Sequence, residues 1–273
     1  MVPALVPFVL TLGVGLAGGA AALAAGMAGG WLIGALFAVA GAALAGLPMV
    51  VPRQMRSIAM GFAGLTVGSA IDGPALTAAA GMLPASVAGL ALTLGAMVVL
   101  SYLLHRRAFA ASPATAIACA WPGHLLLAMA GAEALRADIE RVALVQTLRL
   151  FVLVVLLPMA VGAHPEAAAA AAGADGADLA VAVLATALCT AFAMRRRIVG
   201  GEMFLSAALV GALVASGQLS VAVPAEANAF FQAVVGAYVG IGLARCRRAT
   251  LAAGLRAALA AALLAAALTL AVA

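Results

Sequence analysis

The chain has 273 residues, 67% of them hydrophobic and only 8% charged, with 14 basic against 9 acidic side chains and a mean hydropathy of +1.24. A soluble domain carries about a quarter charged residues. This composition therefore excludes a soluble enzyme, a secreted protein, a free-standing DNA-binding domain and a receptor with a large soluble sensor. Two-thirds of the chain is roughly 183 apolar residues, enough for about nine spans at about 20 residues each.

All the basic residues are Arg. In a membrane protein they set orientation, so the pI near 10.1 does not imply direct nucleic-acid binding. Cys119, Cys189 and Cys246 are widely spaced, with no CxxC and no His at ligand spacing. They read as small apolar residues inside helices, and neither a metal nor a cofactor is expected. The opening MVPALVPFVL lacks a basic n-region, which predicts a retained first span and not a cleaved signal.

In chain order, apolar stretches between Arg, Pro and Gly predict helices over Ala4–Ala25, Trp31–Leu47 and, after Pro52, Gln54–Ile71. Ala75–Leu104 as one helix would measure ~45 Å against a hydrocarbon core of ~30 Å. Gly81 and Pro84 supply a break, leaving Pro84–Leu104 as the fourth helix. Ser112-Pro113 reads as an N-cap with Pro at the first helical position. A short helix Ala114–Ala120 then meets Trp121-Pro122-Gly123, which ends it and begins another, Leu125–Ala132. A fifth long helix is expected over Asp138–Val161, then a polar segment His164–Asp178. Helices over Leu179–Met194, Ile198–Gln218, Glu226–Ala244 and Leu251–Val272 complete the set, with His105 and His164 in loops.

Residues 112–132 either span with a kink or re-enter as a hairpin. Arg53, Arg56, Arg106, Arg107, Arg136, Arg141, Arg195, Arg196, Arg197, Arg245, Arg247 and Arg248 lie in or beside loops. A re-entrant hairpin puts all of them on one side, whereas a span moves the last eight across; the positive-inside rule favours the hairpin. The same topology puts Glu166, Asp175 and Asp178 outside and the N-terminus in the cytoplasm.

An internal repeat is expected. Trp31-Leu32-Ile33-Gly34-Ala35-Leu36-Phe37 matches Ile198-Val199-Gly200-Gly201-Glu202-Met203-Phe204 in pattern. Pro52 with Gly64 and Gly68 matches Pro224 with Gly236 and Gly240, at the same Pro-to-Gly separation of twelve residues. The implied directions are opposite, the inverted plan common among secondary transporters. The expected division is residues 1–163 as a first repeat holding the hairpin 112–132, an external linker 164–178, and a second, truncated repeat 179–273. The fold class is thus an all-α polytopic membrane protein of about nine spans in inverted repeats with one re-entrant hairpin.

Leu32-Ile33-Gly34, Pro52 to Gly68, Thr115-Ala116 leading to Pro122-Gly123, and Ala137-Asp138…Val142…Gln146…Leu148-Arg149 follow one another in an order that resembles the AbrB-type bacterial integral membrane family. That family also carries an ammonia monooxygenase label. The resemblance covers nearly the whole chain, each motif being short and their order carrying the weight. Where the family has Pro-Gly-Gly this chain has Trp121-Pro122-Gly123-His124, with Leu125-Leu126-Leu127 in place of a nearby acidic residue, and no second hairpin follows. The resemblance implies an inner-membrane protein connected by name with gene regulation; neither a DNA-binding module nor an oxygenase's metal-ligand cluster is present in the sequence.

Three places could carry chemistry. Arg149 lies about eleven residues, or ~16 Å, into its helix, where an Arg costs about 2.5–3.5 kcal/mol on insertion scales. With Gln146 one turn earlier it reads as a solute or ion contact, or as a snorkelling Arg paired with Asp138 or Glu202. Pro122 and Gly123 would expose free N–H groups of a half-helix to an anion, and His124 could relay protons or simply pack. Glu202 could complement a helix start, pair with Arg195–Arg197, or couple an ion. Gly34, Gly64, Gly68, Gly201, Gly236 and Gly240 read as close helix contacts; a single hairpin leaves half of a two-fold site unlined, which suggests a homodimer, with Gly236, Gly240 and Gly254 on the last two helices as a small-residue face for it. The leading expectation is a transporter of a small anionic solute with no catalytic residues; the alternative is a non-transporting membrane protein that regulates gene expression.

Overall fold

A computed structural model describes residues 5–27, 29–71, 73, 83–121, 125–146, 149, 176–198, 200–244, 260 and 263. Among these residues every regular element is a helix: α1 (Leu5–Ala24), α2 (Gly30–Leu44), α3 (Arg53–Ser69), α4 (Leu83–Arg107), α5 (Pro113–Ala120), α6 (Leu125–Ala134), α7 (139–146), α8 (Gly176–Arg196), α9 (Gly201–Ala215) and α10 (Ala225–Ala244). Most of the expected span Asp138–Val161, most of the linker 164–178 and most of the last helix 251–272 lie outside the described residues.

Leu5–Ala24, Val87–Arg107 and Gly176–Arg196 are long and apolar enough to cross a membrane, and α2 and α9 are shorter apolar helices. Their burial is the reverse of a soluble protein's. In α8 the large side chains Val181, Leu184, Leu188 and Phe192 face outward, Leu188 being 63% exposed, while Ala182, Ala185, Thr186, Thr190 and Ala193 face inward. Small residues let helix backbones approach where lipid removes any hydrophobic incentive to associate. The same holds for α1, with Val6 and Val9 outside and Thr11, Gly15, Gly19 and Ala22 inside.

The chain divides into two compact units, Met1–Gly81 with Gly162–Ile241, and Met82–Val161 with Gly242–Ala273. The first unit contains the same three-helix device twice. α1 ends at a left-handed Gly26 (φ 74°), with Met27 N–H donating to the Ala22 carbonyl; α8 ends at a left-handed Arg197 (φ 53°), with Ile198 N–H donating to Ala193. This is the Schellman geometry that satisfies terminal carbonyls. Gly29 (φ 67°) and Gly200 (φ 72°) then start helices of 15 residues each, α2 and α9. Both end at a left-handed glycine, Gly46 and Gly217, and an extended segment leads to Pro52 or Pro224 before α3 or α10.

The device recurs at a displacement of 171 residues up to Gly217, as the pairs Gly29–Gly200 and Gly46–Gly217 give. The sequence pattern had matched Trp31 with Ile198, one helical turn away from its structural counterpart, Glu202. In Ala/Gly-rich helices a four-residue shift leaves nearly the same face forward, so composition alone does not settle the register. For the same reason the helix expected over Ile198–Gln218 is shorter: its two ends are left-handed turns. α8 begins at Gly176, inside the expected linker.

The two copies interlock through reciprocal contacts. A Cβ on Gly64 would strike the Met203 carbonyl, and one on Gly236 would strike that of Leu32; Gly68 similarly faces Ala207 O, and Gly240 faces Leu36 O. Numbers rise together in each pair, so α3 runs parallel to α9 and α2 to α10. α3 and α10 cross antiparallel, with Phe62 stacked on Phe231 at 4.2 Å and the Arg56 Nη1 donating to Tyr238 Oη at 3.3 Å. The surrounding cores also correspond, Val39, Met49, Ala237 and Val51 in one and Val210, Val221, Leu65 and Val223 in the other. In each copy the first helix ties down the loop after the second. Thr11 Oγ1 accepts from Val50 N–H (2.8 Å), and Asp178 Oδ2 accepts from Ser220 N–H (2.8 Å).

Candidate functional site

In the second unit, α5 and α6 form a pair of short helices packed on α7 through Ala118, Cys119, Ala128, Ala132, Val142, Leu144 and Val145. Ser112 caps α5 as its sequence implies: its Oγ accepts from Thr115 N–H at 3.2 Å, and Pro113 opens the helix. Thr115 Oγ1 in turn accepts from Asp138 N–H (3.0 Å), and Asp138 Oδ1 from Arg141 N–H (3.1 Å), so the starts of α5 and α7 are joined. α6 closes on a left-handed Arg136 (φ 52°).

The other end of α5 is where the sequence placed its break, and here Gln146 and Arg149 converge. Gln146 Nε2 donates to the carbonyls of Ala118 (3.1 Å), Cys119 (3.4 Å) and Trp121 (3.2 Å). Arg149 Nη1 donates to the Trp121 carbonyl at 2.9 Å. Gln146 is 1% exposed and Arg149 9%. The last carbonyls of a helix have no intrahelical donor and carry the negative end of its dipole. An amide and a guanidinium supply donors and opposite charge, and hydrogen bonds to a charged group are worth about 1.5–3 kcal/mol. Arg149 was expected to pair with Asp138 or Glu202 if it had a structural role. The bond the structure gives Arg149 is to the Trp121 carbonyl, while Asp138 Oδ1 accepts from Arg141 N–H and Glu202 Oε1 from Ser57 Oγ.

Pro122, Gly123 and His124 lie outside the described residues. Glu202 is in the first turn of α9, and its Oε1 accepts from Ser57 Oγ at 2.9 Å. Gly34 sits against Gly18 O, Gly201 against Ile198 and Ala193, and Gly64, Gly68, Gly236 and Gly240 form the reciprocal contacts above. Gly236 and Gly240 thus face α2 of the same chain, which leaves that face of α10 unavailable to a second protomer.

Sequence reasoning put His105 in a loop. It is instead a fully buried residue of α4, with Nδ1 bonded to Ser101 O at 2.7 Å, because α4 continues to Arg107. Sequence reasoning also missed Ser57, Thr186 and Thr190. The two threonines at i, i+4 in an otherwise apolar helix were a legible signal; the burial of Ser57 was not.

A family model described as "Transition state regulatory protein AbrB" matches residues 31–273. The chain belongs to the AbrB family. The comparisons with curated proteins and with solved structures each return no match. Within this AbrB chain, the ordered motifs that carried the resemblance include the residues holding the α5 end: Thr115 at its start, and Gln146 and Arg149 at its finish.

Proposed function

We propose that the protein moves a small anionic solute across the bacterial inner membrane, with its N-terminus in the cytoplasm and α5 and α6 forming a re-entrant hairpin. The observation that carries the reading is Arg149, a 9% exposed guanidinium placed at the interrupted end of α5. Non-helical backbone at membrane depth is tolerated where it is buried in protein or lines a cavity, and such breaks bind solutes in secondary transporters. Nine spans in inverted repeats fit this plan. The parallel pairs α2–α10 and α3–α9, with α3 crossing α10 antiparallel, support the inverted plan.

Uptake of radiolabelled small anions into proteoliposomes, together with anion-dependent thermal stabilisation, tests the proposal. Arg149→Gln should abolish both while remaining inserted, and Arg149→Lys should keep part. A hundredfold excess of anion over its Kd stabilises by about 2.7 kcal/mol. If no anion stabilises the wild type, or Arg149→Gln responds equally, Arg149 serves only to hold the α5 end. The second reading, regulation of gene expression without transport, rests on the family description alone.

A further inference from the structure

The seam between α3, α8 and α9 has a polar content that the fold does not require. At its mouth Ser57, 1% exposed, donates to the Glu202 carboxylate at 2.9 Å. One turn along α3, a Cβ on Gly61 would collide with Thr190 Oγ1 and touch Thr186 Cγ2 at 3.4 Å. Thr190 and Thr186 are 7% and 8% exposed, and neither hydroxyl has a hydrogen-bond partner among the described residues. A threonine inside a helix ordinarily satisfies its hydroxyl on the carbonyl four residues back. Thr11 and Thr93 do so here, on Pro7 O and Gly89 O at 2.7 and 2.8 Å. Thr190 instead turns its oxygen toward α3.

The protein contains its own control. In the first copy of the three-helix device, the positions of Thr186, Thr190 and Glu202 are taken by Gly15, Gly19 and Trp31, and that of Ser57 by Ala229. There the indole of Trp31 lies against Gly19 and fills the seam. The same backbone is therefore built without a carboxylate or hydroxyl at any of the four places.

We propose that the α3–α8–α9 seam is a Na+ site, in which Glu202 and Ser57 receive the ion and the Thr190 hydroxyl takes it inward. Hard cations select carboxylate, hydroxyl and carbonyl oxygens. A single carboxylate balances a single positive charge, and among the described residues no group of three His, Cys, Asp or Glu exists that would suit a divalent or transition metal. Two neighbouring cations are engaged elsewhere: the Arg196 guanidinium lies over Phe192 at 5.8 Å, and Arg56 lies over Tyr238 at 5.3 Å. Protonation of Glu202 alone would leave the Thr190 hydroxyl without a purpose. The site lies in the other compact unit from Arg149 and stands without the anion reading.

The test is thermal unfolding of the full chain in lipid nanodiscs, titrated with NaCl against N-methyl-D-glucamine chloride at constant pH and ionic strength, so that chloride does not vary. Wild type should be stabilised by Na+, its unfolding equilibrium moving about 100-fold at a hundredfold excess over Kd. Glu202→Gln, Thr190→Val and Gly61→Ala should each lose most of that response, whereas Thr190→Ser and Arg149→Gln keep it. Thr190→Val conserves shape and removes a buried unbonded hydroxyl, so its Na+-free melting temperature should not fall, and its response is measured from that baseline. A wild type indifferent to Na+, a Thr190→Val protein that responds like wild type, or a stability that follows pH but not Na+ would each overturn the proposal.

Discussion

The reciprocal glycine contacts make a quantitative prediction about the two copies of the three-helix device. Alanine at Gly64 or Gly236 puts a methyl group against a backbone carbonyl, Met203 O or Leu32 O, neither of which can rotate away. Overpacking of this kind costs about 1–3 kcal/mol. At about 2–4 °C per kcal/mol for a chain of this length, each variant should melt about 2–12 °C below wild type. The two should lose similar amounts, because they are equivalent places in one interface. Gly240→Ala and Gly68→Ala, whose added carbons would lie 2.5 Å and 2.9 Å from the facing carbonyls, should follow in that order of severity. Gly13 and Gly41 are the internal controls: nothing lies within 4 Å of an added Cβ at either, and alanine there should gain up to about 1 kcal/mol of helix propensity. Fluorescence-detected melting of the purified variants in one detergent measures all six. If Gly64→Ala and Gly236→Ala are as benign as Gly41→Ala, the interlocked arrangement of α2, α3, α9 and α10 is wrong.

Gln146→Leu should destabilise by about 1–3 kcal/mol, since it strips donors from buried carbonyls at the end of α5; unfolding in denaturant reads this, and a neutral result would mean that those carbonyls find other partners. Single cysteines near Ala170 and Ala225 in a cysteine-free background should react with impermeant maleimide in intact cells, and those beside Arg106, Arg136, Arg196 and Arg247 should not. Labelling near both Arg196 and Arg247 would mean that residues 112–132 cross the membrane. A homodimer is expected by mass in lipid discs, with its contact away from Gly236 and Gly240; monomer alone would refute it.

Much of the local structure was legible in the residues themselves. Ser112-Pro113 names a helix start, Trp121-Pro122-Gly123 names an interruption, and the structure has α5 ending at Ala120 and α6 beginning at Leu125. Such signals are local: a cap, a missing N–H or a fixed φ acts within one turn, so sequence alone conveys it. Apolar length likewise picked out the three helices that, among the described residues, are long and apolar enough to cross a membrane. Partners across space were not legible. Arg149 bonds to a carbonyl of a broken helix, which no sequence signal announced, because peptide groups are identical in sequence and only the fold selects which are left without donors. His105 is buried although it precedes two arginines, because α4 runs on past it. The match of Trp31 with Ile198 was one turn off, while that of Pro52 with Pro224 was in register, because Ala/Gly-rich helices present nearly the same face after four residues and a proline marks one position. Which glycine meets which carbonyl, and which threonine turns from its own helix toward another, is decided when helices distant in sequence come to share a surface.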